Sequence, residues 1–165
     1  MPPVVLQILN SPELVSEYDL SGVSGIFSGG APLSAETAAA LSKTFPTRSI
    51  RQVYGLEETC VVINFTDHFD IWFGSSVSMI TGVEARIIGV ECTDVIEHGR
   101  AGELWVKSPS VVLGYLNNQK ASRETFVTDA KGDRWLRTGA ELLIRPAPSG
   151  TSIFSWRFES GSSSN

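Results

Sequence analysis

A chain of 165 residues, 42% hydrophobic and 19% charged, has the composition of a globular domain with material for one ordinary core. Its formal net charge of -5, without any run of lysine or arginine, argues against nucleic acid or an anionic membrane as the main partner. Cys60 and Cys92 are isolated and lack CxxC spacing, which fits a reducing compartment and supports neither a zinc site nor a disulfide framework.

The opening MPPVVLQILNSPELV has no basic leader or small-residue cleavage site, and no stretch reaches the roughly 18 apolar residues of a membrane span. The terminal Ser164 and Asn165 do not form a peroxisomal address of the SKL type. The expectation is an intracellular, cytoplasmic chain.

In order, Val4 to Leu9 and Glu13 to Ser16 read as short helical pieces separated by Pro12, and Val23 to Phe27 as a buried strand. Ser28, Gly29 and Gly30 stop that strand. Ser34 is a good helix N-cap, and Ala35 to Phe45 has helical character until Pro46. Ser49 to Val53 is the next strand, so the succession predicts a β-α-β crossover of the parallel-sheet kind.

An apolar run from Cys60 to Phe65 leads into a polar and aromatic loop, Thr66 to Phe73. From Gly74 the texture changes: β-like runs at Glu84 to Gly89, Glu103 to Lys107, Trp135 to Arg137 and Leu142 to Arg145 alternate with Gly, Pro and Asn turns. This suggests a small antiparallel barrel or sheet, with Asn118 to Phe126 as its one helix. The fold class is therefore α/β: a β-α-β layer over 1–73, a β-rich, barrel-like subdomain over 74–145, and a soft boundary near Phe73. Residues 146–165, rich in Pro, Gly and Ser, read as a disordered tail, in which Trp156 and Phe158 are unusual.

The most informative stretch is IRQVYGLEET, Ile50 to Thr59: a strand, a turn at Gly55, and two carboxylates at the strand's end, where open α/β sheets place ligands. Taken with SGGAPLS at Ser28 to Ser34 and GELWVKSPSVVLGYLNN at Gly102 to Asn118, it resembles the adenylate-forming (AMP-binding) family of acyl-CoA ligases, 4-coumarate-CoA ligases and luciferases. The resemblance covers roughly Pro3 to Ile144. GVEARIIG and VKSPSVVLGYLNN look most like fungal acyl-CoA ligases, some of which serve secondary metabolism.

What the resemblance implies is a two-step ligase: a carboxylic acid attacks the α-phosphate of ATP, and coenzyme A then takes the acyl group from the adenylate. ATP or AMP, Mg²⁺ and coenzyme A are the implied ligands. By the same resemblance Ser28, Gly29, Gly30 and Ala31 match an adenine shelf, Tyr54 an aromatic near adenine, and Glu58 the glutamate that ligates Mg²⁺, a job for a hard oxygen donor. The glycines also suit a plain strand-to-helix turn, and Tyr54 an ordinary core position.

Several positions depart from the pattern. Glu57 stands where the family has a Thr whose hydroxyl donates a hydrogen bond to the α-phosphate, and an ionised carboxylate cannot donate. At a separation of about 4 Å, unit charges of like sign repel by about 4 kcal/mol at an effective dielectric near 20. Val53 replaces a Gly and could crowd the nucleotide or refuse a positive φ; Val77 and Ala101 replace Gly and Pro in turns.

WLRTGA, Trp135 to Ala140, matches a segment that ends in a ribose-binding Asp, so Ala140 removes charge-assisted hydrogen bonds of about 1.5–3 kcal/mol each. Glu141 follows, but strand alternation turns it to the opposite face. No counterpart is found for the family's phosphate loop, catalytic lysine or C-terminal hinge; Lys107, Lys120 and Lys131 read as surface charges. The expectation is a truncated chain that does not adenylate by itself, or else a non-catalytic module paired with a full-length ligase. His68 between Asp67 and Asp70, and the lone His98, read as solvated loop residues, because their spacing does not suit a metal site.

Overall fold

The computed structural model describes residues 2–31, 33–60, 62–66, 75–76, 78–95, 97–146 and 152–156. Helix α1 spans Pro2–Asn10 and α2 Pro12–Ser16, with Pro12 in the first turn of α2, where its missing N–H costs nothing. Strand β1, Gly25–Ser28, is followed by α3, Ala35–Thr44, and β2, Ser49–Tyr54. Ser34 caps α3 as its residue type predicts, its Oγ accepting the Thr37 N–H at 3.1 Å.

β1 and β2 pair in parallel, with Gly25 opposite Ser49 and Ser28 opposite Gln52. One cluster, made of Val5, Leu33, Ala38, Leu41 and Ile50, packs α1 and α3 on this layer. Gln52 ties the glycine-rich loop down, since its Oε1 accepts the Leu33 N–H at 2.9 Å in a buried setting.

The first sheet continues through β3, Asn64–Phe65, and β5, Ser78–Met79, both antiparallel. A second, antiparallel sheet contains β4, Ser75–Ser76; β6, Glu84–Ile88; β7, Ala101–Lys107; β8, Phe126–Thr128; β9, Arg134–Pro146; and β10, Ser152–Trp156. Its order is β4-β10-β9-β7-β6, with β8 also on β9. The thirteen-residue β9 is the spine: β7 runs along one side, while β8 and β10 take successive halves of the other. Helix α4, Gln119–Thr125, connects to β8, and Asn118 caps it through Oδ1 to the Ala121 N–H.

Two expectations change. The β-rich part is an open sheet among the described residues, not a closed barrel, because β4 and β6 are edges that do not pair with each other. Part of the segment read as a disordered tail is a strand: Ser152–Trp156 pairs with Pro146 to Leu142 and reaches β4. Pro, Gly and Ser dominate the composition around it, but backbone pairing to a long open strand edge needs no particular side chain. Phe73, where the boundary was placed, lies outside the described residues, as do Asp67, His68, Asp70, Val77 and Phe158.

The main core is Ile63, Ile87, Val95, Leu104, Val106 and Leu142, with Tyr54 and Met79 packed against it. Ile63 and Tyr54 come from the N-terminal layer, so the end of β2 is seated on the β-rich sheet. Full burial of each large aliphatic side chain is worth about 1.5–3 kcal/mol. No helix among the described residues is long and apolar enough to cross a membrane.

Candidate functional site

Past Tyr54 the chain leaves β2 and makes one 3-10 turn, Glu57–Thr59. Thr59, 1% exposed, builds that turn: its Oγ1 accepts the Leu56 N–H at 3.1 Å and donates to the Leu56 carbonyl at 2.8 Å. Cys60 ends the turn with φ 54, a left-handed conformation uncommon for a residue with a Cβ, and gives its N–H to the Glu57 carbonyl. The geometry leaves Glu57 exposed and turns Glu58 inward.

Glu58 borders a cavity of about 400 Å³. Its walls are Leu56 and Glu58 from the turn, Glu103 of β7, Tyr115, Glu124 and Thr125, and Leu136, Arg137, Thr138 and Gly139 of β9. The Tyr115 hydroxyl donates to Glu58 Oε1 at 2.5 Å, and that bond, with some desolvation, raises the phenol above its ordinary value. Tyr54 stands behind the wall and is also raised, chiefly by burial, although a hydrogen bond with Thr138 opposes the shift.

The far wall is a bulge. Trp105 faces Arg137 and Glu103 faces Glu141, so Leu104 alone opposes Thr138, Gly139 and Ala140. Gly139 adopts φ 68, which favours glycine. Glu103 holds the bulge: Oε1 accepts the Gly139 N–H at 3.1 Å, and Oε2 accepts Arg137 Nε and Nη2 and Trp105 Nε1 at 3.0–3.2 Å. Thr138 Oγ1 donates to the Leu104 carbonyl and accepts the Ala140 N–H.

Of the sequence-predicted residues, Glu58 lines the cavity, Tyr54 supports it, and Glu57, Gly29, Gly30 and Ala31 do not line it. Gly30 has φ 81, a turn that needs glycine. The open flank of Gly29 is already filled: a Cβ there would lie 2.5 Å from Val53 Cγ2 and 3.0 Å from the Val53 carbonyl oxygen. Val53 itself sits in regular β2, opposite Phe65, and its φ is not positive. Its effect is therefore to cover Gly29. Next to it the Ser28 hydroxyl, 1% exposed, has no hydrogen-bond partner among the described residues.

Ala140 offers no side-chain acceptor, and Glu141 lies opposite Glu103 across the strands, where both border a second groove with Arg137 and Gly139. Ala101 pairs with Leu143 at the start of β7. Lys107 is committed to Glu84 at 2.9 Å and Asp133 at 3.2 Å, while Lys120, Lys131 and His98 are exposed. Tyr115, Glu103 and Thr138 carry the geometry, and their positions within GELWVK, GYLNN and WLRTGA were the only sequence signal for them.

The charges decide what fits. Glu58, Glu103 and Glu124 face the cavity against one cation, Arg137, whose Nε and Nη2 are used by Glu103. Such a wall disfavours a bare phosphate and is compatible with a divalent cation that carries its own phosphate and water ligands. Among the described residues no group of three His, Cys, Asp or Glu side chains could hold a metal alone. The donor set thus fits a hard cation brought with its nucleotide and anchored by one carboxylate. It fits the ribose poorly, for want of an acceptor at Ala140.

The fold is that of an α/β protein with a cavity beyond the end of β2, closed on its other side by a β-rich sheet. Residues 1–116 match the model of the AMP-binding enzyme family, and the chain belongs to that family. Acyl-CoA ligase AFT1-1 of Alternaria alternata is 37% identical over 150 residues, covering 91% of this chain and 26% of that protein. Luciferin 4-monooxygenase of Luciola mingrelica is 39% identical over 137 residues, covering 83% of this chain and 24% of that protein. A long-chain-fatty-acid-CoA ligase (FadD1) from Archaeoglobus fulgidus shares the fold with a TM-score of 0.80 at 23% identity, over 96% of this chain and 33% of that one. The chain spans about a quarter of the length of the curated relatives it matches.

Proposed function

We propose that this chain supplies the metal- and nucleotide-facing wall of the adenylation site of an acyl-CoA ligase. The observation that carries this reading is Glu58, turned into a cavity opposite the Thr138–Gly139 bulge and held by Tyr115. Similarity to fungal acyl-CoA ligases supports a carboxylic acid and coenzyme A as the substrates of the whole protein.

In this reading Glu58 holds Mg²⁺, the Ser28–Ala31 loop and Tyr54 border the base, and Thr138 and Gly139 border the sugar. Bound ATP supplies an α-phosphorus open to attack by a carboxylate, with pyrophosphate as leaving group. The chain's own residues orient and charge-balance that ligand. Glu57 withholds a donor and adds a negative charge beside the phosphates, and Ala140 withholds an acceptor from the ribose. Nucleotide binding is consequently metal-dependent and weak.

Calorimetry of ATP with and without Mg²⁺ tests the assignment. Glu58→Ala is expected to remove the Mg²⁺ dependence. Ala140→Asp is expected to tighten binding tenfold or more, since a charged hydrogen bond of about 1.5–3 kcal/mol corresponds to at least that factor. Binding indifferent to Mg²⁺ and to Glu58→Ala would overturn the reading.

A further inference from the structure

The loop Val112 to Asn118 grips the turn that carries Glu58 at two points. The Val112 N–H donates to the Glu58 carbonyl at 2.9 Å, and the Tyr115 hydroxyl donates to Glu58 Oε1 at 2.5 Å. The loop is itself fixed. Arg134 Nη2 donates to the Val112 and Leu113 carbonyls at 2.7 and 3.0 Å, with its guanidinium over the Phe126 ring at 4.5 Å. Ser122 Oγ accepts the Tyr115 N–H at 2.8 Å, and the Tyr115 ring meets Phe126 at 5.6 Å. A phenol placed this firmly selects one rotamer of the glutamate it touches. Tyr115 remains 36% exposed, so orientation rather than burial is what it contributes.

We infer that Tyr115 is a positioning residue for the metal carboxylate: by occupying Oε1 of Glu58 it directs Oε2 toward the cation. The inference rests on the reading of Glu58 as metal ligand. A carboxylate free to rotate would bind the same ion but lose rotamer entropy in doing so, whereas one already oriented does not. Partners of metal ligands commonly change affinity by about 10–100-fold when removed. The sequence signal is slight, because Tyr115 lies 57 residues from Glu58.

The test is titration of Mn²⁺·ATP into the full chain, read by water-proton relaxation, beside metal-free ATP binding. Tyr115→Phe keeps the ring and its contact with Phe126 while deleting the hydroxyl. It is expected to weaken the Mn²⁺-dependent affinity about tenfold, the low end of that range, and to change metal-free ATP binding by clearly less. In a Glu58→Gln background the same change should have no effect. Ser122→Ala, which loosens the loop without touching the phenol, should weaken Mn²⁺-dependent binding in the same direction by less.

An equal loss from Tyr115→Phe with Glu58 present or replaced would mean a merely structural tyrosine and would overturn the inference. So would a Glu58→Gln chain that loses its metal dependence while Tyr115→Phe keeps the full Mn²⁺-dependent affinity of the unaltered chain. A Glu58→Gln chain that retains full metal dependence would remove the underlying reading, and this inference with it.

Discussion

Alanine at Gly29 would place its Cβ 2.5 Å from Val53 Cγ2 and 3.0 Å from the Val53 carbonyl oxygen. The first distance is shorter than real Cβ atoms adopt, and β1 and β2 are locked in register beside it, from Gly25 opposite Ser49 to Ser28 opposite Gln52. Overpacking of this kind costs about 1–3 kcal/mol. Val53→Ala alone removes two half-buried methyl groups and should cost about 1 kcal/mol. In the double variant the methyl clash is gone and only the milder 3.0 Å carbonyl contact remains. The two changes should therefore be non-additive, the pair being at least about 1 kcal/mol more stable than the sum of the singles, the size expected of residues in contact.

Urea unfolding of the four proteins measures this directly, provided the denaturant slope is unchanged. Additivity within about 0.5 kcal/mol would refute the packing argument. The functional counterpart is that Val53→Ala, by clearing the flank of Gly29, should tighten adenine-nucleotide binding.

Glu103→Ala leaves the Gly139 N–H, the Trp105 indole N–H and Arg137 without their shared acceptor, and should cost on the order of 2 kcal/mol in urea unfolding while weakening ATP binding through the loosened bulge. Trp135, 1% exposed, lies under Arg86 at 4.1 Å; Trp135→Ala should cost about 3–5 kcal/mol in the same assay. Acid should destabilise the chain through Asp129. Partial desolvation raises this carboxyl, but hydrogen bonds from the Asp133 and Lys131 backbone, Trp135 and Arg86 outweigh it and leave the group below its ordinary value. A lowered folded value means stability present above the unfolded value near about 3.9 and lost as pH falls through the folded one. Asp129→Asn should flatten that part of the stability profile. In a spectrophotometric titration Tyr115 should ionise above its ordinary value, and Glu58→Gln should bring it down.

What local chemistry controls was legible. Ser34 caps its helix because its side-chain oxygen reaches an N–H three residues on, and Gly30, read as part of a tight turn, has a positive φ. The parallel pairing of β1 and β2 followed from strand, helix and strand in succession. The bulge at Thr138 to Ala140 was not legible. Its cause is Leu104, more than thirty residues away, opposing three residues of β9, and Trp135 to Arg137 and Leu142 to Arg145 therefore read as two strands instead of one.

β10 was hidden for a related reason, since its pairing with β9 depends on a backbone edge. The site shows the same division. Glu58 was singled out by its match to the family's metal-binding glutamate, but its hydrogen bond with Tyr115 and the clamp of Glu103 on Gly139 are contacts between distant segments. The role of Val53 was read as crowding of a ligand; the structure shows the nearer effect, contact with Gly29.

The central claim is that the cavity between Glu58 and the Thr138–Gly139 bulge receives the metal–nucleotide. Backbone amide NMR of the labelled chain, titrated with Mg²⁺ and ATP, tests it most directly. The account predicts that the resonances of Glu58, Thr59, Tyr115, Thr138 and Gly139 shift together and saturate at one concentration, and that Glu58→Gln suppresses the Mg²⁺-dependent part. Shifts confined to the groove around Val90, Cys92 and Glu141, or a folded spectrum that saturating ligand leaves unchanged, would contradict it.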